Sequence, residues 1–174
     1  MRMIVDGYNV LHAHRGYAAL AADDLDAARA RLVSDLAGLA QGGDRLVVVF
    51  DGGGNPGSDG APHHIGSLTV IFSPAGSDAD SVVEALAARS RERGEATVVV
   101  TSDVATRHAV RSGVVSVMSA EAFIADLAAA TAEHDRLIAE RETRGVVKGR
   151  IDPGVSEILA RWARGDAPET TSAR

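Results

Sequence analysis

Four short apolar runs in this chain end at or just before an aspartate. Met3–Val5 leads into Asp6, with Gly7 behind it and Asn9 three residues on, and Leu46–Phe50 leads into Asp51. Leu68–Phe72 shortly precedes Asp78 and Asp80, and Thr97–Val100 runs through Thr101 and Ser102 to Asp103. Ligands of a parallel sheet bind in the crevice beyond the carboxyl ends of its strands. Acids delivered together to such an edge repel one another, and a divalent cation relieves the repulsion. Carboxylate ligands without cysteine suit Mg²⁺ or Mn²⁺ better than zinc. Two such ions can clamp a phosphodiester, one activating the attacking water and the other stabilising the leaving oxygen. Asp6, Asp51, Asp78, Asp80 and Asp103 are the candidate metal ligands. Asn9 is placed to orient a phosphate oxygen or a metal-bound water. Each has a plainer alternative. A strand-end acid can cap the next turn, acids are favoured at the helix starts where Asp78, Asp80 and Asp103 lie, and an Asn after a strand can bond its own backbone. The joint convergence of four strand ends favours the metal reading over these.

The elements that must hold these residues are legible from periodicity. Residues 2–6, 46–50, 68–72, 97–100 and 114–118 read as strands. The near-continuous apolar run 46–50 is how a strand buried on both faces of a parallel sheet reads. Asp23 or Asp24 caps a helix to about Gln41, with Leu25, Ala28, Leu32, Leu36 and Leu39 as its apolar face and Gly42-Gly43 as its stop. Ser77 with Asp80 three residues on reads as a capping box with Asp in place of Glu. The helix it starts buries Val82, Val83, Leu86 and Ala87 and stops at Gly94. A short helix runs from Asp103 to Ser112, and Ser119 caps a long one with Phe123, Ile124, Leu127, Leu137 and Ile138 inward. Asp152-Pro153 marks a last helix, striped with Ile158, Leu159 and Trp162 and packing on the same chain. Residues 7–22, with His12, His14, Arg15 and Tyr17, read as a loop, as does the Gly-, Pro-, Ser- and His-rich stretch 52–66. Alternating strands and helices predict an α/β sandwich around a parallel sheet, with helices on both faces. The expected organisation is one domain over 1–150, a C-terminal helix over 151–165 and a disordered tail over 166–174.

Composition narrows the rest. Aromatics are only 3%, so the core must be built of Val, Leu, Ile and Ala. The absence of cysteine removes disulfides, thiolate nucleophiles and Cys-based zinc sites. No run approaches the roughly 20 apolar residues of a membrane span, and no signal-peptide pattern follows Met1, so the expectation is a soluble cytoplasmic protein without a membrane partner. The net charge of −6 speaks against a nucleic-acid partner as a whole. Its distribution softens that: residues 141–174 carry seven basic and five acidic side chains, while the acids cluster earlier.

Rival chemistries lack their motifs. No Gly-x-x-x-x-Gly-Lys-Ser/Thr loop is present, and Gly52-Gly53-Gly54 has no lysine. An aspartate-nucleophile phosphatase would want a second acid two residues after Asp6, where Tyr8 stands. Ser102 has no nucleophile-elbow context. His63 and His64, adjacent in a Gly/Pro loop, read as solvent-facing.

Ile4-Val5-Asp6-Gly7-Tyr8-Asn9-Val10, Val49-Phe50-Asp51, Asp78-Ala79-Asp80 and Val100-Thr101-Ser102-Asp103 resemble the YacP-like branch of the NYN domains. Met118-Ser119-Ala120-Glu121 also resembles that branch, and the likeness covers roughly residues 3–125. That family is similar to PIN-domain nucleases. The resemblance implies a PIN-like three-layer sandwich with about five parallel strands in the order 3-2-1-4-5. It also implies a Mg²⁺- or Mn²⁺-dependent endoribonuclease, in some relatives acting on messenger RNA at the ribosome. By the same resemblance Asp6, Asp80 and Asp103 would bind the metal, with Asn9 and Asp51 assisting and Asp78 beside them. An RNA path needs cations. Arg15, Arg107 and Arg111 flank the expected crevice, and Arg141, Arg144, Lys148 and Arg150 follow the long helix; their contacts would be to phosphate, or they form a solvated charged face. Tyr8 and Tyr17 could stack a base. A catalytically weak RNA- or ribosome-binding module and a small-molecule phosphatase stay open as alternatives, as do monomer and homodimer.

Overall fold

The computed structural model describes residues 1–40, 45–52 and 55–143, with backbone alone for 134, 135 and 137–143. Six strands form one sheet: β1 (Arg2–Asp6), β2 (Arg45–Phe50), β3 (Pro62–Ile65), β4 (Leu68–Phe72), β5 (Thr97–Val100) and β6 (Val115–Met118). Their order is β3-β4-β2-β1-β5-β6. Every pairing is parallel except β3 with β4, which is antiparallel. The five parallel strands, taken in chain order, therefore stand 3-2-1-4-5, as the resemblance implies. The sixth is an addition: His63 and His64, read as loop, pair with Val70 and Thr69 at the sheet's edge.

The side chains of each inner strand alternate between two cores, so one strand can be apolar throughout. Val5, Val48, Phe50, Val70, Phe72 and Val100 pack one face against α1 (Gly7–Ala13), α2 (Arg15–Asp23), α3 (Leu25–Leu39) and α6 (Ala120–Thr143). Ile4, Val47, Val49, Ile71 and Val99 pack the other against α4 (Ala79–Glu92) and α5 (Val104–Val110). This is a three-layer sandwich. Among the described residues no helix is long and apolar enough to cross a membrane.

Several local expectations need correction. Residues 7–23 are two helices rather than a loop, capped by Asp6 and by the Nδ1 of His14. Gly7 is needed for space, since a Cβ there would run into the Phe50 ring. Leu25, expected inward, is 37% exposed, because α3 begins there and Asp24 caps it. The cap of α4 is Asp78 and not Ser77. Asp24 and Ser119 do cap as expected, the latter accepting from Ala122 N at 3.2 Å. Gly94, in the left-handed region at φ 62°, follows the last turn of α4. Gly42, Gly43, the 151–165 helix with Trp162, and the 166–174 tail lie outside the described residues.

Candidate active site at the carboxyl edge of the sheet

Because β1, β2, β4 and β5 run parallel, their carboxyl ends share one edge. Asp6 is both the last residue of β1 and the N-cap of α1. One carboxylate oxygen accepts from Asn9 N at 3.1 Å, and Asn9 Nδ2 donates to the other. Thr101 Oγ1, just past β5, stands 3.5 Å from that second oxygen. Asp6 is only 3% exposed. Burial raises its pKa above the ordinary aspartate range; the bonds from Asn9 oppose the rise, and the charge of Asp80 adds to it. Asp80 is thus close enough across the edge to be felt by Asp6.

Asn9 also joins β1 to β5. Its Oδ1 accepts from Ser102 N at 3.2 Å. Ser102 Oγ in turn accepts from Ala120 N at 3.1 Å and donates to Glu121 Oε2 at 3.2 Å. The start of α6 is thereby tied to the edge. Glu121 is exposed, and its pKa is lowered by its own backbone N–H, then by the Ser119 and Ser102 hydroxyls, with a further pull from Arg107.

Asp103 caps α5, accepting from Thr106 N at 2.8 Å, while its own N–H donates to Thr101 Oγ1 at 3.1 Å. It is exposed, and the backbone N–H and hydroxyl of Thr106 hold its carboxyl below the usual range. Thr106 Oγ1 donates to Asp80 Oδ1 at 2.9 Å. Asp80, half-buried, lies in the first turn of α4. Asp6, Asp80 and Asp103 are therefore joined through Thr101 and Thr106, both buried. Asp78 is exposed and occupied with Ser81 N at 2.8 Å, whose bonds lower its pKa. Asp51 follows β2, half-buried, two residues beyond the strand partner of Asp6.

The donor set is carboxylate and hydroxyl oxygen, the chemistry of a hard cation. Among the described residues no three His, Asp or Glu side chains gather closely enough to hold a metal by themselves. Mg²⁺ asks for less, since it keeps several waters and takes one or two carboxylates plus substrate phosphates. Asp6 and Asp80 supply carboxylates of that kind at the same edge.

Arg107 and Arg111 line a groove of about 180 Å³ on α5 together with Val104 and His108. Val104 is 63% exposed, an apolar side chain among cations. Arg15 begins α2, past the far end of α1 from Asp6. Arg144, Lys148 and Arg150, and the side chain of Arg141, lie outside the described residues. Tyr17 is buried and donates to Asp35 Oδ2 at 2.6 Å, which removes it as a base-stacking platform. Tyr8 is half-buried, edge-on to Phe50, with its hydroxyl bonded by Arg29. Sequence reading passed over Thr101, Ser102, Thr106 and Glu121 as supports of the edge. One signal was present: Thr106 stands three residues after Asp103, where a capping aspartate finds its backbone donor.

A mostly parallel sheet between two helix layers, with acids collected at the carboxyl edge, is the arrangement that the resemblance to PIN-like folds implies. The chain belongs to the YacP-like NYN domain family, whose pattern matches residues 3–164. Among solved structures it is similar to Rae1 (YacP) from Bacillus subtilis, with a TM-score of 0.71 at 22% identity over 95% of this chain and 96% of that one. A tryptophan-to-leucine mutant of that same protein gives 0.67 at 24% identity over 95% and 97%. At that identity the likeness concerns the fold. Comparison with curated proteins found no match.

Proposed function

We propose that this chain is a Mg²⁺- or Mn²⁺-dependent endoribonuclease that hydrolyses phosphodiester bonds in single-stranded or flexible RNA. The observation that carries the reading is the state of Asp6. It is a buried acid that feels the charge of Asp80, and its bonds among the described residues come from neutral donors. An acid whose charge is disfavoured by burial and by a neighbouring acid is suited to receive positive charge. Asp6 and Asp80 would hold the cation, with Asp103 and Asp51 around it. A bound cation would supply a water of lowered pKa and stabilise charge on the leaving oxygen. Asn9 fixes the Asp6 carboxylate and orients it from two sides. Thr101 and Thr106 set the spacing of Asp6, Asp103 and Asp80. The α5 groove would bind RNA phosphate through Arg107 and Arg111, with Arg15, Arg144 and Lys148 as more distant contacts. Messenger RNA on the ribosome is the substrate context that the family resemblance suggests.

A second reading has one observation in its favour. Because no three acidic or histidine side chains converge among the described residues, the same fold would serve as an RNA-binding module that leaves its ligand intact.

The deciding experiment is cleavage of end-labelled single-stranded RNA by the purified protein with Mn²⁺, Mg²⁺ or EDTA, beside Asp6→Asn. Metal-dependent cutting that disappears in the variant is expected. RNA bound but uncut by wild type, with and without ribosomes, would replace the nuclease with the binding module. Turnover of small phosphomonoesters without action on RNA would replace both.

A further inference from the structure

We infer that Thr106 is a positioning residue that ties two acids of the proposed site, Asp80 through its hydroxyl and Asp103 through its backbone N–H, to one buried residue; this rests on the metal-dependent reading above. Thr106 is 2% exposed and belongs to α5. Its backbone N–H reaches Asp103 Oδ1 at 2.8 Å, and its hydroxyl reaches Asp80 Oδ1 at 2.9 Å. Those acids come from different crossovers, Asp80 after β4 and Asp103 after β5, and between them in the sheet stand β2 and β1. Two loops that far apart in the strand order need a common reference if their carboxylates are to keep a fixed separation. Thr106 supplies it.

The choice of residue type agrees with this role. A capping aspartate requires only the backbone N–H of its third helical neighbour, so any residue at 106 satisfies Asp103 to that extent. The hydroxyl is not needed by the helix. It has one proton, donated here to Asp80, while Asp103 is held by the backbone N–H of the same residue. A neutral donor between two acids orients them without cancelling their charge, whereas an arginine there would neutralise the pair. Thr101 repeats the arrangement just before α5, with its hydroxyl beside Asp6 and bonded by Asp103 N. The two buried threonines thus form a neutral spine through Asp6, Asp103 and Asp80. Partners behind the ligands typically change metal affinity or activity by about 10- to 100-fold when removed.

The test compares wild type, Thr106→Val and Thr106→Ser. Valine keeps the shape and the backbone N–H but loses the hydroxyl; serine keeps the hydroxyl. Mn²⁺ binding is read by electron paramagnetic resonance of the free ion, and RNA cleavage by kcat and KM separately. Thr106→Val is expected to weaken Mn²⁺ binding about 10-fold or more and to lower kcat with KM for RNA unchanged. Thr106→Ser should restore both to within about threefold. Thermal unfolding controls for folding; if the valine variant does not fold, Thr106→Ala takes its place. Unchanged Mn²⁺ binding in a folded hydroxyl-free variant would overturn the role, as would a loss that serine fails to rescue. Absence of Mn²⁺ binding by wild type would overturn the metal reading itself, and this role with it.

Discussion

The two ends of the sheet handle charge in opposite ways. At the amino ends of β1, β2 and β5, Arg2 and Arg45 meet Glu95, at 3.8 and 2.6 Å. Arg2 also donates to Ser90 Oγ at 3.2 Å. There, cation answers anion, and Glu95 opposes the burial that lowers the Arg2 pKa. At the carboxyl ends, no ion pair reaches Asp6, Asp80 or Asp103 among the described residues. Their partners are amide, hydroxyl and backbone N–H groups of Asn9, Thr101 and Thr106. At one end the chain pairs its charges with each other; at the other the acids meet neutral donors. A fold that needed only stability would treat both ends alike. The difference is the one that the proposed cation at the carboxyl edge would answer.

The largest effect should follow from removing the central acid. Asp6→Asn keeps the shape at the end of β1 and removes one negative charge. Loss of a few kcal/mol of transition-state stabilisation corresponds to about a hundredfold or more in rate. Single-turnover cleavage of labelled RNA in Mn²⁺ measures it. A variant within threefold of wild type would break the distinction between the two ends, because a purely structural acid would then occupy the negative one.

The ion-paired end predicts the reverse pattern. Glu95→Ala leaves Arg2, half-buried, without its counter-charge. Removing one partner of a half-buried pair, discounted for the exposed Arg45, should cost about 1–2 kcal/mol of stability. Denaturant unfolding reads that loss, and RNA cleavage at saturating substrate should stay within twofold. Cleavage falling as far as in Asp6→Asn would mean that the two ends are coupled through the strands.

Much of this division was legible in the sequence. An apolar run ended by an acid says where a buried strand stops and which charge it delivers, and the four acid-ended strands are parallel neighbours in the sheet. The helices over 7–23 were not legible. They are short, and they are held by the Asp6 and His14 caps and by Val10, Leu11 and Tyr17 in the core. A long periodic stripe, the usual sign, is missing. Strand β3 was hidden because its pattern is only half-buried and it gains its bonds from β4 on one side. Asp78 took the cap that Ser77 seemed to offer because its side chain, one residue on, meets Ser81 N. The threonine supports were hidden for another reason. Thr106 to Asp80 spans 26 residues, a contact that exists only once α4 and α5 pack together.

Acidity gives a finer probe of the same contrast. The folded-state pKa of Asp6 is raised above the ordinary aspartate value of 3.8, chiefly by burial. Folding is therefore favoured by Asp6 below the unfolded value, and this contribution is lost as pH rises through the raised folded value. Asp6→Asn does not titrate there. The stability of the variant minus that of wild type should increase over that window, whatever its offset at low pH. Urea unfolding at a series of pH values measures the slope. A difference that decreases with pH would mean that Asp6 is stabilised as an anion, like the acid of an ordinary ion pair.

The smallest effect concerns the two cations of the α5 groove. Arg107 and Arg111 are exposed on α5, so replacing both with Ala should leave thermal unfolding nearly unchanged. If each contacts one RNA phosphate, each contributes about 0.7 to the slope of log affinity against log salt for a single strand. The double variant should then bind RNA several-fold more weakly near 0.1 M salt, with the slope reduced by about 1.4. Fluorescence anisotropy with an uncleaved RNA in EDTA measures both quantities without chemistry. An unchanged slope would move the RNA path off α5, and the groove beside Val104 would then be only a gap between surface side chains. A reduced slope with wild-type cleavage at saturating RNA would separate the two tasks by location: the groove on α5 gathers the strand, and the acids of the carboxyl edge act on it.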